Sequence, residues 1–251
     1  MQPLGLLLAA LFGTTALAVP TSVDHTYSDL ARRDLDTNKF IDAVLDWFPG
    51  QMAVQDACTL IGAGETFLGK AFGIVPTANS NGCADVTIVF ARGTCDPGNV
   101  GVLAGPSFFG AVAQSLGGRT LNVQGVAYPA SVSGYLNADK AAGQTMAQIV
   151  RDTRKACPST KIVISGYSQG GLAVHNAADA LGGDMSNVSA AVIFGDPMSH
   201  QPVSNIDPSN THIVCHSGDS ICDQGAIVLP THLTYAIDAA SSAAWLLPKI
   251  S

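Results

Sequence analysis

The chain has 251 residues and a formal net charge of −7, with 47% hydrophobic and only 12% charged residues. That length suits one domain with a sizeable core, and a charged share well under the usual ~25% leaves the surface to Ser, Thr, Asn and Gly. The 12 Lys and Arg form no dense patch, which argues against nucleic acid as a partner.

The N-terminus reads Gly5-Leu6-Leu7-Leu8-Ala9-Ala10-Leu11-Phe12 and then Ala16-Leu17-Ala18. A short apolar core before a small-x-small site predicts a secretory signal peptide over residues 1–18, although Met1-Gln2-Pro3 carries no basic side chain. The apolar run falls short of the roughly 20 residues a membrane span needs, and no later segment qualifies, so no stable membrane insertion is expected. Residues 19–33 are polar, lack apolar periodicity and end in Arg32-Arg33; they read as a pro-segment outside the fold. Residues 34–251 are expected to form a single domain. Six cysteines in an exported chain imply disulfides whose connectivity the sequence leaves open. Asn187-Val188-Ser189 is a candidate N-glycosylation acceptor.

Apolar residues at Phe40, Ile41, Val44, Leu45 and Trp47/Phe48 recur at helical spacing and predict a helix from Asp36 to Trp47, stopped by Pro49-Gly50. A second, short helix is predicted from Met52 to Leu60. The pair packs either on the core or near the mouth of the site. Val86-Thr87-Ile88-Val89-Phe90-Ala91 is an apolar run of the kind buried on both faces of a parallel sheet. Gly105-Pro106 opens a helix through Leu116, which Gly117-Gly118 ends. The alternation continues with a strand Leu121–Val126, a helix Ala138–Ala156, a strand Lys161–Ser165, a helix Gln169–Leu181, a strand Val188–Phe194, a short strand His212–Cys215 and a closing helix Thr234–Leu247. Strands alternating with helices predict an α/β fold: a central, mostly parallel five-stranded sheet with helices on both faces, a three-layer sandwich.

Within that rhythm, Lys161-Ile162-Val163-Ile164-Ser165 leads into Gly166-Tyr167-Ser168-Gln169-Gly170. An apolar strand, Gly-x-Ser-x-Gly and a helix are the context of the nucleophile turn of α/β-hydrolases, in which the serine Oγ stands above the sheet edge. A serine hydroxyl needs a neutral imidazole to take its proton and a carboxylate to orient that imidazole. The chain order is then Ser, acid, His. Among the histidines after Ser168, His175 reads as a helix-surface residue two turns down. His200, His212 and His216 lie in or beside loops. His232 follows the apolar Ile227-Val228-Leu229 and just precedes the last helix, a suitable place for a base over a nonpolar substrate. Asp219 is the leading acid, framed by Cys215 and Cys222 in what would be a small closed loop if they are bonded; Asp196, in Phe194-Gly195-Asp196-Pro197, is the runner-up. His212, Cys215, His216, Asp219 and Cys222 are also zinc-ligand types, but an even cysteine count in an exported chain favours disulfides, so no metal and no cofactor are expected.

Gly166-Tyr167-Ser168-Gln169-Gly170, Cys215-x-x-Gly218-Asp219-x-x-Cys222, Pro230-Thr231-His232-Leu233-x-Tyr235 and Ala91-Arg92-Gly93-Thr94, in that combination and order, resemble the fungal cutinase family from about Cys83 to Tyr235. The resemblance implies a secreted, extracellular serine esterase acting on cutin-like polyester and short-chain acyl esters. It implies Ser168 as nucleophile, His232 as base and Asp219 as the acid that orients it. It also implies an oxyanion hole from Gln169 and Thr94, the latter standing where many relatives carry Ser. Gln169 opens a helix, so its N–H has no partner within the helix and lies at the positive end of the dipole. By similarity Cys83 pairs with Cys157, and Cys215 with Cys222. The remaining Cys58 and Cys95 are then expected to bond, which would bring the N-terminal helices toward Thr94.

The apolar stretch containing Val102 and Leu103, and the stretch Ile227, Val228, Leu229, are expected to form two lips around the serine, suited to acyl chains. An acetylxylan-type esterase would want polar and aromatic lips instead, and a noncatalytic binding protein would not need the complete set of roles. The expected partner is an insoluble polyester or a small ester, met by a monomer. Because His232 must be neutral to act as base, kcat/KM should fall in acid.

Overall fold

A computed structural model describes residues 35–48, 50–138 and 140–251. The expected signal peptide and pro-segment lie outside the described residues, as does Pro49 of the predicted helix stop. In chain order the main elements are α1 (Thr37–Trp47), β1 (Met52–Ala53), α2 (Val54–Phe72), β2 (Val86–Ala91), α3 (Gly105–Ser115), β3 (Leu121–Gly125), α4 (Val132–Leu136), α5 (Ala141–Ala156), β4 (Lys161–Tyr167), α6 (Gln169–Leu181), β5 (Val188–Phe194), β6 (Thr211–Val214), β7 (Ile227–Val228) and α7 (Ala239–Leu246).

The five longer strands form an all-parallel sheet in the order β3-β2-β4-β5-β6, with β4 at its centre. Both faces are covered, which explains the continuous apolar runs. Alternate side chains enter two separate cores. Val86, Ile88, Phe90, Val163, Val192 and Phe194 face one way and pack with α1, α2, α3 and α7. Val89, Ala91, Ile162, Ile164, Ala191 and Ile193 face the other way and pack with α5 and α6. This is the α/β-hydrolase sandwich expected from the sequence.

The differences lie mostly at the edges of elements. The predicted short helix after Met52 runs on to Phe72. Its glycines serve packing: a Cβ at Gly64 would stand 2.8 Å from Phe48 Cζ, and one at Gly69 3.1 Å from Val102 Cγ1. Met52 and Ala53 are not helical; they pair antiparallel with Val228 and Ile227, so the N-terminal region is stitched to the loop that precedes His232. The predicted helix from Ala138 begins at Ala141, after the separate turn of α4. The predicted closing helix splits into a 3-10 turn over Tyr235–Asp238 and α7. Cys58 is bonded to Cys95, Cys83 to Cys157 and Cys215 to Cys222. No helix among the described residues is long and apolar enough to cross a membrane.

Candidate active site

Ser168 sits where β4 turns sharply into α6, at φ 56° and ψ −121°. Positive φ is costly for a non-glycine residue and persists only where the surroundings enforce it. The flanking glycines let that happen. A Cβ at Gly166 would lie 2.2 Å from Gly170 O, and one at Gly170 would lie 2.0 Å from Ala91 O. Neither position can carry a side chain while strand β2, strand β4 and helix α6 meet this closely.

The loop after β7 brings His232 back over the sheet edge, where it is 2% exposed. Its Nδ1 lies 2.7 Å from Asp219 Oδ2. A carboxylate at that distance calls for a proton on Nδ1 and leaves Nε2 with its lone pair. Ser168, His232 and Thr94 line one small cavity together with Val54, Glu65, Leu103, Tyr135, Tyr167, Val228 and Leu233.

Asp219 is buried and well provided with donors. The Tyr235 hydroxyl donates to Oδ2 at 2.7 Å, and the Ile221 N–H donates to Oδ1 at 3.0 Å. Burial pushes the Asp219 carboxyl up, but the bond from His232, the His232 charge, Tyr235 and the Ile221 N–H together outweigh it and hold it below the ordinary range. Tyr235 carries no role legible in the sequence. Its oxygen also accepts the His216 N–H at 3.0 Å, and its ring stacks on His216, with centroids 4.1 Å apart. Burial, then the bond to Asp219, push its hydroxyl well above the usual tyrosine range, so it stays a donor. Tyr167 stacks on His232, with centroids 5.1 Å apart, and donates to the His232 carbonyl at 2.9 Å. The second residue of Gly-x-Ser-x-Gly thus holds His232 in place.

Gln169 begins α6 and is buried. The Thr94 hydroxyl donates to Gln169 Oε1 at 2.9 Å. Its one proton is therefore engaged with that side chain. The Thr94 loop is braced on both sides. Arg92 Nε donates to the Asp96 carbonyl and its terminal nitrogen to the Tyr128 carbonyl, both at 2.8 Å. The Cys95 N–H donates to Ala130 O at 2.8 Å.

Other candidates fall elsewhere. His175 is not on the surface, as the sequence suggested; it is 4% exposed, with Nε2 2.9 Å from Asp196 Oδ2. The second face of the sheet is fully covered, so a helix position that looked peripheral is interior. Asp196 also accepts the Met198 N–H, which commits the runner-up acid to the loop after β5. His200 pairs with Asp223 at the surface, and His216 lies 2.6 Å from Asp238. Of the expected lips, Leu103 and Val228 reach the serine cavity. Val102 is fully buried against α2, Ile227 is 40% exposed, and Leu229 is half-buried.

The cavity at Ser168 is only about 20 Å³, room for about one water and not for an acyl chain. A larger cavity of about 630 Å³ lies between α1, the end of α2, α3 and α7. Its described lining offers no histidine, cysteine or strained serine, so size there does not mark the chemistry.

Comparison with known proteins points the same way. A family profile described as Cutinase matches residues 82–250. The chain is 46% identical over 253 aligned residues to a cutinase of Hypocrea jecorina, covering 100% of both. It is 48% identical over 166 residues to a cutinase of Botryotinia fuckeliana, covering 65% of this chain and 82% of that one. Among solved structures, Trichoderma reesei cutinase in complex with a C11Y4 phosphonate inhibitor superposes with a TM-score of 0.75 at 51% identity, covering 79% of this chain and 90% of that chain. An acetylxylan esterase superposes at 24% identity with a TM-score of 0.52, covering 68% of this chain and 100% of that one, a likeness of fold alone.

Proposed function

This chain belongs to the cutinase family of carboxylic-ester hydrolases, and from that premise we propose that it cleaves cutin-like polyester and short-chain acyl esters through a Ser168-His232-Asp219 triad and an acyl-enzyme. The observation that carries this reading is the His232 Nδ1 to Asp219 Oδ2 distance of 2.7 Å, with Ser168 and His232 facing one cavity.

The steps follow from these groups. Ser168 Oγ attacks the ester carbonyl carbon while His232 Nε2 takes the hydroxyl proton. The carbonyl oxygen becomes an oxyanion that accepts from the Gln169 and Thr94 N–H groups. His232 then returns the proton to the leaving alcohol, and the acyl-enzyme forms. Water then attacks the acyl carbon while giving a proton to His232, the bond from that carbon to Ser168 Oγ breaks, and His232 passes the proton to Oγ, releasing the acid and regenerating Ser168. Asp219 keeps the imidazole in the Nδ1–H form and stabilises the imidazolium. Each oxyanion donor is worth roughly 3–4 kcal/mol in the transition state. Leu103 and Val228, both aliphatic, suit an acyl chain better than a sugar face. Because the cavity is small, binding requires α2, which carries Val54, to move away from Ser168. Three disulfides support work in an oxidising, extracellular compartment.

The test is labelling by a fluorophosphonate probe, followed by hydrolysis of short-chain nitrophenyl esters, cutin and acetylated xylan. Labelling lost in Ser168→Ala, with release of cutin monomers, is expected. Labelling that survives Ser168→Ala would reject the nucleophile; turnover of acetylated xylan alone would reject the substrate class.

A further inference from the structure

The steps above leave one buried acid in the wall of the serine cavity without a role. Glu65 lies on α2 and lines that cavity beside Val54, Thr94 and Leu103. It is 1% exposed, and its Oε2 has no donor among the described residues. Its side-chain partner is the carboxyl of Asp96, itself 5% exposed. Asp96 is held from the other side: Oδ2 accepts the Gly93 N–H at 3.0 Å and Oδ1 the Val102 N–H at 3.3 Å. Two ionised carboxylates do not share a dry site; one keeps its proton. Burial pushes Asp96 up too, but the bond from Glu65, its two N–H donors and the Arg92 charge oppose that shift, so of the two it is the better carboxylate. Glu65 is then the acid, and its proton bridges the two carboxyl groups.

We propose that Glu65 is a positioning residue of the esterase site: as a neutral acid it donates to the Asp96 carboxylate and so ties α2, the helix over Ser168, to the loop that presents Thr94. The proposal rests on the reading of Thr94 as an oxyanion donor. Cys58–Cys95 joins the same two segments just after Thr94. The acid pair joins them just before it, through Gly93, from a point about two turns further along α2. Two clamps therefore bracket the donor.

Burial, the Asp96 charge and the bond to Asp96 push Glu65 well above the ordinary carboxyl range. The other ionisable groups around the pair are Arg92 on the same loop, Tyr128 after β3, Tyr167 on β4, Tyr135 on α4, and His232 backed by Asp219 on the late loops. Arg92 Nε is directed at the Asp96 carbonyl. Because the folded value is raised, the stabilisation is complete below the ordinary glutamate range and is lost as pH rises through the raised value. Above it, two buried charges push α2 away from the Thr94 loop.

The experiment combines infrared spectroscopy in D2O with steady-state hydrolysis of a soluble nitrophenyl ester by the full chain. At neutral pH the wild type is expected to show the carbonyl stretch of a buried carboxylic acid that Glu65→Gln lacks. The glutamine variant, a neutral donor of the same shape, should keep kcat within about threefold of wild type. Glu65→Ala should lose about tenfold or more in kcat with little change in KM, a share of the ~10²–10³ that one oxyanion donor is worth. Absence of the acid band, an alanine variant with wild-type kcat, or a glutamine variant as impaired as the alanine variant would each overturn the proposal. The infrared arm compares only wild type and Glu65→Gln, so it decides even where the alanine variant does not fold. Failure of the Ser168 assignment would be seen separately, as fluorophosphonate labelling that survives Ser168→Ala, and would leave the infrared result untouched.

Discussion

Replacing Tyr235 with Phe removes one oxygen from a site where that oxygen makes two bonds. The hydroxyl donates to Asp219 Oδ2 at 2.7 Å and accepts from the His216 N–H at 3.0 Å. The ring is 1% exposed and held by His216, Tyr167 and Phe194, so phenylalanine should occupy the same space. A hydrogen bond to a charged partner contributes about 1.5–3 kcal/mol, and the His216 N–H is left short of an acceptor. A loss of about 2–3 kcal/mol is expected, which lowers Tm by roughly 4–12 °C for a domain of this size. Catalysis should suffer less than from loss of the acid itself. Asp219 keeps His232 and Ile221 as donors, so kcat should fall about tenfold, against the ~10⁴ expected for Asp219→Asn. The acid side has a definite sign. Asp219 is held below its ordinary range, so its contribution is present above the unfolded pKa of about 3.9 and is lost as pH falls through the folded value. Without the Tyr235 donor the depression is smaller, and that contribution shrinks and starts to fail at a higher pH. Differential scanning calorimetry across acid pH, with nitrophenyl ester kinetics, measures both effects. A Tyr235→Phe protein with unchanged Tm and kcat, or one as inactive as Asp219→Asn, would refute the reasoning.

Two further outcomes separate structure from chemistry. Asp196→Asn should destabilise by about 1–3 kcal/mol by weakening the buried bond to His175. Its folded fraction should keep kcat within several-fold, and a loss near that of Asp219→Asn would make Asp196 the catalytic acid. Replacing Cys58 and Cys95 together by Ser opens a loop of 37 residues and should cost roughly 4 kcal/mol of stability on loop-closure grounds. A denaturation midpoint unchanged between the two proteins would show that this link does not constrain the unfolded chain.

Some of this molecule is written in short windows. The run Lys161–Ser165 is legible as a strand because a doubly covered parallel strand has no polar face to confuse it. Gln169–Leu181 is legible because it follows a turn that only glycines at 166 and 170 permit. Other parts depend on what lies across space. Gly62, Gly64 and Gly69 interrupt the helical pattern after Leu60, and only the approach of Phe48 and Val102 explains why a helix tolerates Gly64 and Gly69. His175 read as peripheral because a helix face is classed by what covers it, and its cover, Asp196, is 21 residues away. Glu65 lies beyond the predicted Met52–Leu60 helix, with nothing nearby in sequence to mark it as buried.

The residue types proposed for the triad, their order and the sharp turn at Ser168 follow from residue chemistry and local backbone sterics, which act over a few neighbours and are therefore visible along the chain. The tight bond of His232 to Asp219, the support from Tyr235 and Tyr167, the pairing of Met52–Ala53 with β7, and the closing of the cavity by Val54 and Glu65 are contacts between segments far apart in sequence. Their energies come from burial and distance, and those exist only once the sheet has gathered the segments at one edge.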